Sequence, residues 1–78
     1  MSETVIKMPS QYPGLPDPVI TALYKRPGDS IRIGERLFSY SSDGAILDES
    51  SDRDGKILDC FISEGASAHE GEVVFLIS

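Results

Sequence analysis

Apolar and polar residues alternate over short stretches of this chain, and nowhere do apolar residues recur at helical spacing over a helical length. Gly and Pro interrupt the pattern every five to ten residues, too often for helices of ordinary length. The alternation predicts strands at Val5–Met8, Val19–Lys25, Ser30–Ile31, Arg36–Ser42, Ala45–Ser50, Gly55–Ile62, Ala66–Ala68 and Val73–Ile77. Strands of this number and brevity imply an all-β fold, a sandwich or flattened barrel. Residues that alternate inward, or that coincide in the repeat described next, form the expected core: Val5, Ile20, Leu23, Ile31, Leu37, Ile46, Ile57, Cys60, Val74 and Leu76.

Sliding the sequence by 37 residues brings two segments into register. Ile20, Leu23 and Tyr24 fall on Ile57, Cys60 and Phe61, and Gly28 falls on Gly65. Ile33-Gly34-Glu35 falls on Glu70-Gly71-Glu72, Leu37-Phe38 on Val74-Phe75, and Asp17 on Asp54. Each copy reads as strand, glycine turn, short piece, second glycine turn and apolar strand, so the domain is expected to be two copies of one half. Between them, Asp43-Gly44 is a favoured pair for a two-residue type I′ turn, which needs positive φ at both positions. That pair is the expected apex of the hairpin joining the halves. The segment Pro9–Pro18 carries four prolines, which cannot donate to a ladder, and is the one long loop expected.

A chain of 78 residues and 8.5 kDa holds one domain, residues 1–78, and excludes a two-lobed enzyme with its own cofactor cleft. With one Cys and one His, neither a disulfide framework nor a metal staple is encoded. Thirteen acids against seven basic residues give a formal charge of −6, which opposes nucleic-acid binding and favours basic partners. The N-terminal residues carry no secretory pattern, and the longest apolar run, Val73–Ile77, is far too short to cross a membrane. A lone Cys60 suits a reducing compartment, and a cytoplasmic location is expected.

Lys7-Met8-Pro9, Gly28-Asp29-Ser30-Ile31 with Gly34 and Leu37, and Gly55-Lys56-Ile57 with Glu64-Gly65 and Gly71 stand in a fixed order around the central hairpin. In that order and spacing the chain resembles, over nearly its whole length, the lipoyl and biotinyl carrier domains. The resemblance implies a flattened β-barrel of two quasi-symmetric four-stranded antiparallel sheets. In that family the hairpin carries Asp-Lys-Ala or Met-Lys-Met, and the lysine amine is amide-linked to the cofactor. Here the tripeptide is Asp43-Gly44-Ala45. Glycine offers no side-chain nucleophile, so no lipoate or biotin is expected at Gly44. The other lysines, Lys7, Lys25 and Lys56, lie on predicted strands or beside other turns.

The resemblance thus implies a non-enzymatic, unmodified binding or regulatory module with a protein partner of the 2-oxo acid dehydrogenase or carboxylase type, and with neither nucleic acid nor membrane as partner. An alternative is a covalent lipoyl, less readily biotinyl, carrier whose lysine is missing from this chain. A membrane-fusion adaptor, whose lipoyl-like halves are split by a helical hairpin, conflicts with the two-residue connection at Asp43-Gly44. Asp43, Asp48, Glu49 and Asp52 cluster on and after the hairpin; they are either a face for a basic partner or solvated edge chemistry. His69 lies in an expected turn without a second ligand, Cys60 occupies the slot matching Leu23, and Tyr12, Tyr24 and Tyr40 are expected as core or edge packing. No catalytic or metal-ligating set is expected.

Overall fold

A computed structural model describes residues 3–78. Seven strands follow in chain order: β1 (Thr4–Lys7), β2 (Val19–Leu23), β3 (Ser30–Ile31), β4 (Arg36–Ser42), β5 (Ala45–Ser50), β6 (Gly55–Cys60) and β7 (Val73–Ile77). They form two antiparallel sheets, one in the order β1-β7-β6-β3 and one in the order β2-β4-β5. No helix occurs among the described residues. Phe38 from the three-stranded sheet and Phe75 from the four-stranded sheet meet between them, ring centres 6.2 Å apart, and Tyr40 lies 5.9 Å from Phe38. Ile20, Ile31, Leu37, Ile57, Val74 and Ile77 complete the buried layer, with Met8 and Ala68. Each large side chain removed from water here stabilises the fold by about 1.5–3 kcal/mol, the main driving force in a chain without cross-links.

The repeat in the sequence is a repeat in the hydrogen bonds. Gly28 N–H donates to Ile57 O at 2.8 Å, and Gly65 N–H donates to Ile20 O at 2.7 Å. Ile57 N–H returns a bond to Asp29 O, as Ile20 N–H does to Ala66 O. Tyr24 N–H to Leu37 O is matched by Phe61 N–H to Val74 O. Glu35 and Glu72 each close their turn with a side-chain oxygen, on Arg32 N–H and His69 N–H. Each of these bonds has its mate 37 residues away. The register changes only across the long loop: Met8 N–H bonds Glu72 O as Ser51 N–H bonds Glu35 O, although Met8 and Ser51 are 43 positions apart. The loop 9–18 is the insertion that accounts for the difference.

Ala66–Ala68, expected as an eighth strand, instead contributes a single bridge, Val19 to Ser67, beside β2. Its repeat mate is β3, which pairs with β6 through Ser30–Lys56 and Ile31–Gly55. Turns at Gly65 and Gly71 leave too few residues between them for a longer ladder. Three expected core residues lie outside both the buried set and the residues packed against it. Val5 is 41% exposed, because Ile6 pairs with Phe75 and turns inward, one residue out of the expected phase. Leu76 pairs with Val5 and faces the same outer side, between buried Phe75 and Ile77. Ile46 lies opposite Ser41 on the outer side of the hairpin, 64% exposed. The run Val73–Ile77 is apolar throughout, so periodicity alone could not separate its two faces. Ile20, Ile31, Leu37, Ile57 and Val74 are buried as expected, and Leu23 and Cys60 pack partly buried against them.

Ile57→Ala removes a fully enclosed side chain and is expected to cost about 2–5 kcal/mol in denaturant unfolding, whereas Ile46→Ala should change stability by less than about 0.5 kcal/mol. Equal losses in the two variants would contradict the assignment of faces.

Candidate functional site at the hairpin tip

β4 and β5 close through Ser42 paired with Ala45, leaving Asp43 and Gly44 as the two turn residues. Their φ values, 50° and 80°, are both positive, as a type I′ turn demands. Nothing approaches within 4 Å of where a Gly44 Cβ would stand, so the position opens to solvent. At the far end of β5 the chain turns through Ser51–Arg53, where Arg53 Nη1 donates to Thr4 Oγ1 at 2.9 Å, and Thr4 pairs with Ile77. The tip and the two chain ends therefore lie at opposite ends of the domain.

The proline-rich loop folds against the hairpin. Ser42 Oγ donates to Gln11 Oε1 at 2.8 Å, and Gln11 N–H donates to Glu70 Oε1 at 2.9 Å. Gln11 thus ties the loop to the hairpin on one side and to the second-half turn on the other. Between loop and hairpin lies an open cleft of about 540 Å³, walled by Tyr12, Leu15, Ala45 and Leu47, with Tyr40 also lining it and Asp43 at its edge. Tyr40 is only 4% exposed, while Tyr12 is 83% exposed, contrary to the packing role expected for it. Prolines hold such a loop in few conformations.

The four acids read from the sequence separate in space. Asp48 and Ile46 face outward with Ser39 and Ser41, whereas Glu49, Leu47 and Ala45 share the inner side with Phe38, Tyr40 and Ser42. Asp48 accepts a hydrogen bond from Ser39 Oγ and sits 3.7 Å from Arg36 Nη1. Asp52 is paired with Arg53 Nε at 2.9 Å, and that hydrogen bond holds its carboxyl below the ordinary range. Among the described residues no ion pair reaches Asp43 or Glu49. Burial pushes the Glu49 carboxyl up, and burial together with the Glu49 charge pushes the Tyr40 hydroxyl up. The structure thus brings Asp43 and Glu49 to the cleft side of the hairpin and leaves Asp48 and Asp52 in pairs of their own. Gln11, Leu15 and Leu47 were not singled out by sequence, and Tyr12 only as a packing residue; the signal for Gln11, Tyr12 and Leu15 is the insertion in the first repeat, and Leu47 has none.

His69 is an exposed turn residue, with Nδ1 2.9 Å from Glu72 Oε1. The half-buried Cys60 thiol donates to Ile62 O at 3.3 Å. No group of three or more His, Cys, Asp or Glu side chains among the described residues is arranged to hold a metal.

Glu49 carries a testable pH signature. Because burial raises its pKa in the fold, the protonated form is favoured there, and stability falls as pH rises from the unfolded value of about 4.3 through the raised folded value. Glu49→Gln should therefore gain melting temperature over wild type at about pH 7 and lose that advantage near pH 3. A difference that does not change with pH would show that the carboxyl is solvated.

Comparison with known proteins agrees with this architecture. The family model Biotin_lipoyl, described as biotin-requiring enzyme, matches residues 4–77. No curated protein matches the sequence. Among solved structures, the lipoyl domain of the 2-oxoglutarate dehydrogenase complex from Azotobacter vinelandii superposes with a TM-score of 0.76 at 21% identity, covering 94% of this chain and 95% of that one. Two antiparallel sheets, one of them carrying the central hairpin, with turn bonds that recur in both halves, and a family match across residues 4–77 place the chain in the biotin/lipoyl family.

Proposed function

We propose that this chain is a non-catalytic, unmodified relative of the carrier domains, presenting its hairpin end to a protein partner of the 2-oxo acid dehydrogenase or carboxylase type. The observation that carries the proposal is Gly44. It occupies the second turn position of an otherwise intact hairpin, where the family's resemblance sets an acceptor lysine. A glycine has no amine, so an amide to lipoate or biotin has no atom on which to form there, and the residues at the tip do not fit either group.

What remains at that end supports recognition. The cleft between the loop and β5 offers Tyr12, Leu15 and Leu47 as apolar contact and Asp43 as an unpaired carboxylate, with Glu49 beyond it on the same side of β5, and these acids favour a partner with basic side chains. The formal charge of −6 points the same way and disfavours nucleic acid. The partner type follows from the lipoyl domain this chain resembles, which belongs to a 2-oxoglutarate dehydrogenase complex. A free Cys60 suits a reducing compartment, and the proposal places the chain in the cytoplasm.

Intact-mass spectrometry after incubation with lipoyl or biotin ligase, cofactor and ATP tests the proposal. Wild type should keep its unmodified mass, and Gly44→Lys should gain a lipoyl adduct. The open space at Gly44 leaves only the positive φ as a cost, about 1 kcal/mol, so the variant should stay folded. An adduct on wild type at Lys7, Lys25 or Lys56 would overturn the unmodified reading, and a folded Gly44→Lys that no ligase modifies would overturn the equivalence of Gly44 with the acceptor position.

A further inference from the structure

The two outer sheet faces occupy matching positions of the repeat and have opposite chemistry. On the three-stranded sheet the positions hold Asp48, Ser39 and Tyr24. Ser39 Oγ donates to Asp48, the Tyr24 hydroxyl lies 2.9 Å from Ser39 Oγ, and the Arg36 guanidinium sits 4.4 Å above the Tyr24 ring. Those three positions are satisfied within the chain, and the apolar residue left open on that face is Ile46, at the hairpin end away from them. On the four-stranded sheet the mates are Val5, Leu76 and Phe61, and Phe61 is 55% exposed without a comparable cover. Leu58, at the bulge in β6, extends this apolar strip.

Two charges flank the strip on a diagonal. Lys7, on β1, pairs with Val73 at one end of β7, and Asp59, on β6, pairs with Leu76 near the other. Neither is in an ion pair among the described residues. A partner with a uniformly charged surface would leave one of them unmatched. The same face turned over about a two-fold axis through the middle of β7 matches both, Lys7 over Asp59 and Asp59 over Lys7, with apolar strip against apolar strip. Asp43 lies in the turn before β5, Asp48 and Glu49 on β5 and Asp52 in the turn after it, all on the three-stranded sheet side, so this approach keeps the main acidic cluster off the contact.

We propose that the outer face of the four-stranded sheet binds a second copy of this chain in an isologous dimer held by Val5, Leu76 and Phe61 and registered by reciprocal Lys7–Asp59 pairs. The strip is small, so the dimer is weak, with Kd in the range of about 10 µM to 1 mM.

Sedimentation velocity across that concentration range reads it directly. Wild type should pass from monomer to dimer, Phe61→Ser should weaken association at least about tenfold, and Ile46→Ser, on the other sheet, should leave it unchanged. Lys7→Asp and Asp59→Lys should each be monomeric alone, since each places like charges over one another. Mixed together they should form a heterodimer, because every contact then joins opposite charges. All four changes lie on exposed side chains, and circular dichroism confirms that each variant is folded. A wild type that stays monomeric, a dimer indifferent to Phe61→Ser, or charge variants that fail to associate on mixing would each overturn the proposal, the second by assigning the contact to another face such as the free edge of β1.

Discussion

The domain depends on one exchange of backbone hydrogen bonds. The turn of the first half, at Gly28 and Asp29, is bonded to Ile57 in the second half, and the turn of the second half, at Gly65 and Ala66, is bonded to Ile20 in the first. Ile20 and Ile57 are also fully buried, so each clamp seals backbone polarity and apolar surface together. Gly28 N–H and Asp29 O, like Gly65 N–H and Ala66 O, find their partners in the opposite half. A chain this short buries too little surface for half of it to stand alone, and the exchange makes the two halves a single cooperative unit without a disulfide or metal.

Function follows from where that unit leaves its free ends and its tip. The clamps fix β2 and β6, these fix β4 and β7, and the hairpin then projects Asp43 and Gly44 away from the ends of the chain. The apex thus stands clear of the rest of the domain, and in the proposed function it is the acceptor position, held here by a residue with no side chain to modify. Beside it, the longer loop of the first half breaks the symmetry and makes a cleft that the second half lacks. The sheets differ as well: at matching positions one outer face carries the polar set Tyr24, Ser39 and Asp48 with Arg36, and the other exposes Val5 and Phe61.

Much of this was legible in the sequence where two signals coincide. Gly28 and Gly65, and Ile20 and Ile57, are each marked by residue type and by the repeat, and the structure places them as equivalents; the Asp43-Gly44 turn is marked by residue type and by its place between the copies. Periodicity alone was weaker. Val5 and Ile6 are both β-branched and apolar, and only the pairing of Ile6 with Phe75 decides which turns inward. Ala66–Ala68 has strand composition but too little chain between its glycines to extend a ladder. The division of the acids was invisible because it rests on tertiary partners: Arg36 claims Asp48 and Arg53 claims Asp52, while Glu49 is turned inward by strand alternation.

The most direct measurement of the central claim, that exchanged clamps make one rigid unit presenting the tip, is native-state amide hydrogen exchange. The amides of Ile20 and Ile57, and those of the strands flanking the hairpin, should exchange only through global opening, with the same free energy and the same denaturant dependence. Ile20 opening independently of Ile57, or β4 and β5 fraying apart at low denaturant while the other sheet stays protected, would contradict it.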